Sequence, residues 1–242
     1  MIRNGGVIDR MARRTYHFLL SSSARPGEPL NRLIPIDDPN TILPGVTQQT
    51  VCLKVFGIQW GDLSSVDTLV FLCQLAALTD FPIFEFGTFR GRTTYNLALN
   101  ARKGPVISID AGAPDDAAAN ICGFNYPPYA PGELLKDSPE NVSRKILLLP
   151  GDSRELDLSK YDNSCGLVFV DAGHSYEACI SDSLSAFRLV RPGGIVIWDD
   201  VGSYWPGVQR AVFELSRKYK IYQLSKLGVA LFINRPGTSS KA

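Results

Sequence analysis

Short apolar runs alternate with stretches of helical period from about residue 64 to residue 234. Pro82–Phe86, Val106–Ile109, Ile146–Leu149, Leu167–Val170 and Ile195–Trp198 each read as a strand. Thr93–Arg102, Glu177–Leu189 and Val208–Lys218 read as the helices between and after them. An earlier helix is expected from Ser64, which can cap it, with Asp67 in its first turn and Val66, Leu69, Val70, Cys73 and Leu78 on one face. Ile221–Leu224 and Val229–Asn234 read as a closing hairpin. Strands that are apolar without alternation belong to a parallel sheet covered on both faces. The expectation is a doubly wound, mostly parallel α/β sheet of about seven strands with a C-terminal antiparallel hairpin.

Two segments break this rhythm. Residues 1–60 carry Pro26, Pro29, Pro35, Pro39 and Pro44 and are expected to be an irregular N-terminal arm ahead of one domain over 61–242. Residues 111–144 are longer than a crossover requires. Asn125-Tyr-Pro-Pro-Tyr129 and Pro131-Gly132 mark them as a loop-rich insertion, and loops of that length in compact domains are usually functional or disordered.

Composition changes little. A charged fraction of 20%, a hydrophobic fraction of 45% and a net charge of +1 describe an ordinary globular chain with no bias toward nucleic acid or membrane. No apolar run approaches the ~20 residues that span a bilayer. Five cysteines without a Cys-x-x-Cys pair suit reduced thiols in a cytoplasmic setting. The choice between monomer and homo-oligomer stays open.

The candidate chemistry sits at the strand ends. Glu85, Gly87, Thr88 and Gly91 form a Glu-x-Gly-x-x-x-Gly turn between a strand and a helix, where backbone amides approach a small ligand closely. Neither the dinucleotide Gly-x-Gly-x-x-Gly pattern nor a P-loop is present. Asp110 ends the next strand about 20 residues on, in place to accept from both hydroxyls of a ribose, or to cap its own turn. Asp152 follows the third strand and can meet a base or cap a helix, two roles that coexist. Asp171 and His174 stand three residues apart in one turn, and histidine is the usual group for taking a proton near neutral pH. Asp199 and Asp200 end the strand expected beside Asp171. Three close carboxylates need a proton or a cation, and an oxygen-only set favours Mg²⁺, Mn²⁺ or Ca²⁺.

Together Glu-Phe-Gly-Thr-Phe-Arg-Gly-Arg-Thr, Asp-x-Gly-His-x-Tyr-Glu and Leu-Val-Arg-Pro-Gly-Gly-Ile-Val-Ile-Trp-Asp-Asp resemble the Rossmann-like class I S-adenosylmethionine (SAM) methyltransferases, and within them methyltransferase family 24. Trp205-Pro-Gly-Val208 also fits, and the resemblance covers about residues 64–235. It implies SAM over Gly87–Gly91, with its ribose on Asp110 and its adenine near Asp152. It also implies a divalent cation, Mg²⁺ or Mn²⁺, on Asp171, Asp199 and Asp200, and His174 as the base that deprotonates a hydroxyl of a small molecule or sugar. Tyr176, Tyr204 and Trp205 are candidates to line the acceptor pocket. The family's frequent second glycine between Glu85 and Gly91 is absent here. Two rivals remain, a catalytically silent scaffold of the same fold and a metal-independent methyltransferase.

Overall fold

The computed structural model describes residues 33–56, 65–112, 129–202 and 205–235. Ser64, Tyr204 and residues 113–128 of the insertion lie outside them. Eight strands form one sheet: β1 (Ile34–Pro35), β2 (Ile83–Phe86), β3 (Val106–Asp110), β4 (Ile146–Pro150), β5 (Cys165–Val170), β6 (Val190–Trp198), β7 (Ile221–Leu224) and β8 (Val229–Ile233). Their spatial order is β1-β7-β8-β6-β5-β2-β3-β4, and β8 alone runs antiparallel to its neighbours. The helices are α1 (Val66–Leu78), α2 (Arg92–Asn100), α3 (Glu140–Ser143), α4 (Tyr176–Leu189) and α5 (Pro206–Leu215).

Alternate strand residues feed opposite faces. Ile83, Leu167, Phe169 and Ile197 pack with α1 and α2, while Phe84, Phe86, Val168, Val170 and Trp198 pack with α4 and α5. Both faces are therefore dry, which is why the strands are continuously apolar.

The sheet has one strand more than the expected seven. β1 lies in the segment read as an irregular arm and pairs with β7 through Ile34 and Pro35. Proline is tolerated there because the strand is at the sheet edge. The same segment sends Val46, fully buried, into the core beside α1 and α2. Asn96 and Asn100 of α2 hold the backbone amides of Lys54 and Cys52 at 2.8 and 2.9 Å.

Helix α1 is capped by Ser65, whose hydroxyl accepts from the Thr68 amide at 3.0 Å, and not by Ser64. Its buried side is broader than the expected stripe. Phe71, Leu72, Leu75 and Ala76 are inside, whereas Val66 and Leu78 are exposed. Helix α5 starts two residues before the expected Val208, because Pro206 suits the first helical position. Strand β6 reaches back to Val190, so Arg191-Pro-Gly-Gly194 lies inside the strand instead of preceding it.

The chain leaves β2 toward β3 and β4 on one side and returns to β5 and β6 on the other. The C-terminal ends of β2 and β5 are thus adjacent at the switch point, where ligands of such sheets bind.

Candidate active site

The turn after β2 is built by backbone constraints. Gly87 and Gly91 adopt φ of 97° and 96°, and Phe89 between them a left-handed φ of 47°. A Cβ on Gly87 would stand 2.0 Å from the Asp171 carbonyl oxygen, so only glycine lets the two strand ends close up. Gly91 then opens α2 without a side-chain cap.

Under the turn lies Glu85, wholly buried. Its Oε2 accepts from the hydroxyls of Thr94 and Ser108, each at 2.5 Å. Ser108 is in turn reached by the Thr88 hydroxyl at 2.6 Å, so Thr88 serves this network. Oε1 is buried without a partner among the described residues. Burial pushes the carboxyl up to about 7, further than the two hydroxyls pull it down. A buried acceptor with one idle oxygen beside a glycine turn suits a ligand that brings a donor or a positive charge.

Asp110 ties the turn to β3. Its Oδ2 accepts from the Phe89 amide at 2.6 Å, and its Oδ1 from the Gly112 amide at 2.7 Å. The Tyr129 hydroxyl also donates to Oδ1, at 3.3 Å, and the Tyr129 ring meets the Phe89 ring edge-on at 4.4 Å. Residues 130–135 lie along the turn. Gly132 N donates to Phe89 O at 2.8 Å and Leu134 N to Arg90 O at 2.9 Å, and Arg90 pairs with Glu133. In the sequence, residues 129–135 are legible only as part of a loop-rich insertion. Tyr129 in particular carries no signal there beyond being an aromatic beside prolines.

Asp152 is engaged by Arg154, whose guanidinium and backbone amide both bond its carboxylate and hold it down at about 2. Next to it, Ser153 donates to Asp182 of α4 at 2.5 Å. Asp182 is buried, and desolvation lifts it to about 6. Sequence reasoning misses it because one acid within a helix reads as part of a solvated face.

The second half of the site lies after β5 and β6. Asp171, His174 and Asp200 each offer a ligand atom within 4.8 Å of the others. His174 Nε2 lies 2.8 Å from Asp200 Oδ2, and its ring stacks on Trp205 at 4.0 Å and 17°. Asp200 reaches inward from a left-handed φ of 62°. Asp199 Oδ1 accepts from the Asp200 amide at 2.8 Å. Burial, then Asp199, Asp200 and Glu85, push the Asp171 carboxyl well above the usual range. That is the electrostatics of a site built for a proton or a cation.

Of the three expected carboxylates, Asp171 and Asp200 share this cluster with His174. Two carboxylates and an imidazole meet, and Asp199 supports the backbone of one of them. The carboxylates fit a divalent cation such as Mg²⁺ or Mn²⁺, with the imidazole beside it. Tyr176 is occupied elsewhere. Its hydroxyl donates to Glu214 at 2.7 Å and its ring lies under the Arg210 guanidinium, so Trp205 is the aromatic beside His174.

Among the described residues no helix is long and apolar enough to cross a membrane. Residues 84–201 match the family model described as a methyltransferase domain. An uncharacterized protein of Acanthamoeba polyphaga mimivirus is 26% identical over 161 residues, 62% of this chain and 67% of that one. Among solved structures, the O-methyltransferase from Bacillus cereus in complex with S-adenosylhomocysteine is 19% identical, with a TM-score of 0.51 over 72% of this chain and 84% of that one. The O-methyltransferase TomG from Streptomyces achromogenes, involved in tomaymycin synthesis and solved with SAM, is 20% identical, with a TM-score of 0.53 over 71% and 81%. The glycine turn over a buried acid and the acid ending β3 both lie within the stretch that matches a methyltransferase domain, and the fold is the one shared by these solved structures.

Proposed function

We propose that the protein is a SAM-dependent O-methyltransferase that acts, with a divalent cation, on a hydroxyl of a small molecule or sugar. The observation that carries the reading is the convergence of Asp171, His174 and Asp200 on one spot beside the Gly87 turn. The structural likeness to O-methyltransferases supports oxygen as the acceptor atom.

Glu85, Gly87, Thr88, Gly91, Asp110 and Asp152 are the residues that would hold SAM, which supplies the methyl group. The glycines allow close backbone approach, Asp110 would offer its carboxylate to the ribose, and Glu85 lies buried beneath the turn with one oxygen lacking a partner among the described residues. Asp171 and Asp200 would hold the cation, with Asp199 fixing Asp200. A hydroxyl bound at such a cation loses its proton more readily.

His174 takes that proton. With Nε2–H given to Asp200, Nδ1 is the nitrogen left to accept, and the Asp200 charge stabilises the imidazolium that results. Stacking on Trp205 fixes the plane of the ring, so the base needs no reorientation before reaction. Balanced charge argues against a nucleic-acid substrate, and four free cysteines among the described residues suit a reducing, cytoplasmic setting.

Calorimetry with S-adenosylhomocysteine, then turnover of a panel of hydroxylated acceptors with Mn²⁺, Mg²⁺ or EDTA, tests the reading. Absence of binding would defeat the methyl-donor assignment. Full turnover in EDTA would remove the cation and leave the His174–Asp200 pair as the chemistry. Binding without turnover of any acceptor would favour the silent scaffold.

A further inference from the structure

We propose that the Tyr129 phenol is a displaceable stand-in for a ribose hydroxyl at Asp110, so that the donor enters only as Tyr129 leaves. The inference rests on the SAM-binding reading of the Gly87 turn.

A carboxylate offers about four acceptor positions. Three are taken at Asp110, by the Phe89 and Gly112 amides and by the Tyr129 hydroxyl. A ribose brings two adjacent hydroxyls, and only one position is left for them. One existing donor has to yield.

The two amides are poor candidates. Phe89 sits at φ 47° inside the turn and Gly112 at φ 89° just after β3, so moving either amide rebuilds the backbone around the site. Their bonds, 2.6 and 2.7 Å, are also the short ones. The phenol makes the longest contact, at 3.3 Å, and is held there by rotatable side-chain bonds.

The strap on the C-terminal side of Tyr129 is anchored. The bonds from Gly132 and Leu134 to the turn, together with the Arg90–Glu133 pair, fix residues 130–135 in place. Tyr129 can therefore swing away while this strap stays put. Its departure uncovers the Phe89 ring that it now covers, leaving an apolar wall beside Asp110 for the incoming nucleoside. Ligands with both ribose hydroxyls gain two bonds on displacing one, whereas a 2′-deoxy analogue fills the free position and displaces none. The cost of moving Tyr129 therefore falls on the intact ribose, and the phenol sets how tightly the full donor is held.

The test is calorimetric titration of S-adenosylhomocysteine and its 2′-deoxy analogue into the wild-type protein, Tyr129→Phe and Tyr129→Leu. Ligand-free melting curves establish that each variant is folded. Removing the competing hydroxyl should tighten S-adenosylhomocysteine binding by about threefold to tenfold in Tyr129→Phe. The preference for the intact ribose should grow in both variants, because only that ligand has to displace the phenol. Unchanged or weaker binding by folded Tyr129→Phe overturns the proposal, since the phenol would then be a bystander or a contact to the ligand. A wild-type protein that binds no S-adenosylhomocysteine overturns the underlying SAM reading instead, and the two failures are told apart by that first titration.

Discussion

Gly87 and Asp171 meet backbone to backbone where β2 and β5 end, and a Cβ at residue 87 would lie 2.0 Å from the Asp171 carbonyl oxygen. The contact joins the two halves of the site, since Gly87 belongs to the donor turn and Asp171 to the cluster with His174 and Asp200. Gly87→Ala must therefore both strain a φ of 97° and push Asp171 away. We expect a loss of about 3 kcal/mol or more in urea unfolding, together with loss of S-adenosylhomocysteine binding. A variant with wild-type stability would show that the two strand ends are not held as described.

Glu85 gives a prediction in which stability and binding move in opposite directions. Its folded value of about 7 lies above the 4.5 of an ordinary glutamate, so the folded protein holds this proton more tightly than the unfolded chain. Stability from this group is intact below about pH 4.5 and falls as pH rises to 7, where the penalty approaches about 3 kcal/mol. Asp110 is the acid that adds to this rise while charged. Glu85→Gln keeps an oxygen for Thr94 and Ser108 and removes the charge. We expect it to be more stable than wild type at pH 8 and equal near pH 4.5, yet to bind S-adenosylhomocysteine more weakly. Urea titrations at the two pH values, beside calorimetry, check both halves.

Asp152 carries two candidate roles that substitution separates. Its bond to Arg154 lies on an exposed surface, where such pairs contribute at most about 1 kcal/mol. Asp152→Ala should therefore lower stability only slightly, while costing about tenfold in S-adenosylhomocysteine affinity if the carboxylate meets the adenine. Unchanged affinity would leave Asp152 as a partner of Arg154 alone.

Much of this was legible in the sequence because it is local. Five apolar runs located five strands, and the spacing of Glu85, Gly87 and Gly91 fixed a turn whose conformation only glycine tolerates. The parts that were not legible depend on contacts between distant segments. β1 is two residues long and exists through its pairing with β7, a partner nearly 190 residues away. Tyr129 matters because the strap brings it to Asp110. Asp199 and Asp200 are adjacent and chemically alike, so no pattern tells which one points inward. In the structure Asp200, at a left-handed φ of 62°, offers its carboxylate to His174.

That distinction leads to the sharpest prediction about the cation. Asp171 and Asp200 offer ligand atoms to the cluster, and Asp199 holds the Asp200 amide. Mn²⁺ titrated into the protein should bind wild type and lose affinity by more than about a hundredfold in Asp171→Asn and in Asp200→Asn. Asp199→Asn retains an oxygen for the Asp200 amide and should cost only about tenfold, the scale of an outer partner. His174→Asn removes the base without emptying the carboxylates. It should leave S-adenosylhomocysteine affinity unchanged and lower kcat by about 10² to 10⁴. Equal losses at Asp199 and Asp200 would mean that both acids ligate, giving a site of three carboxylates with His174 still the base.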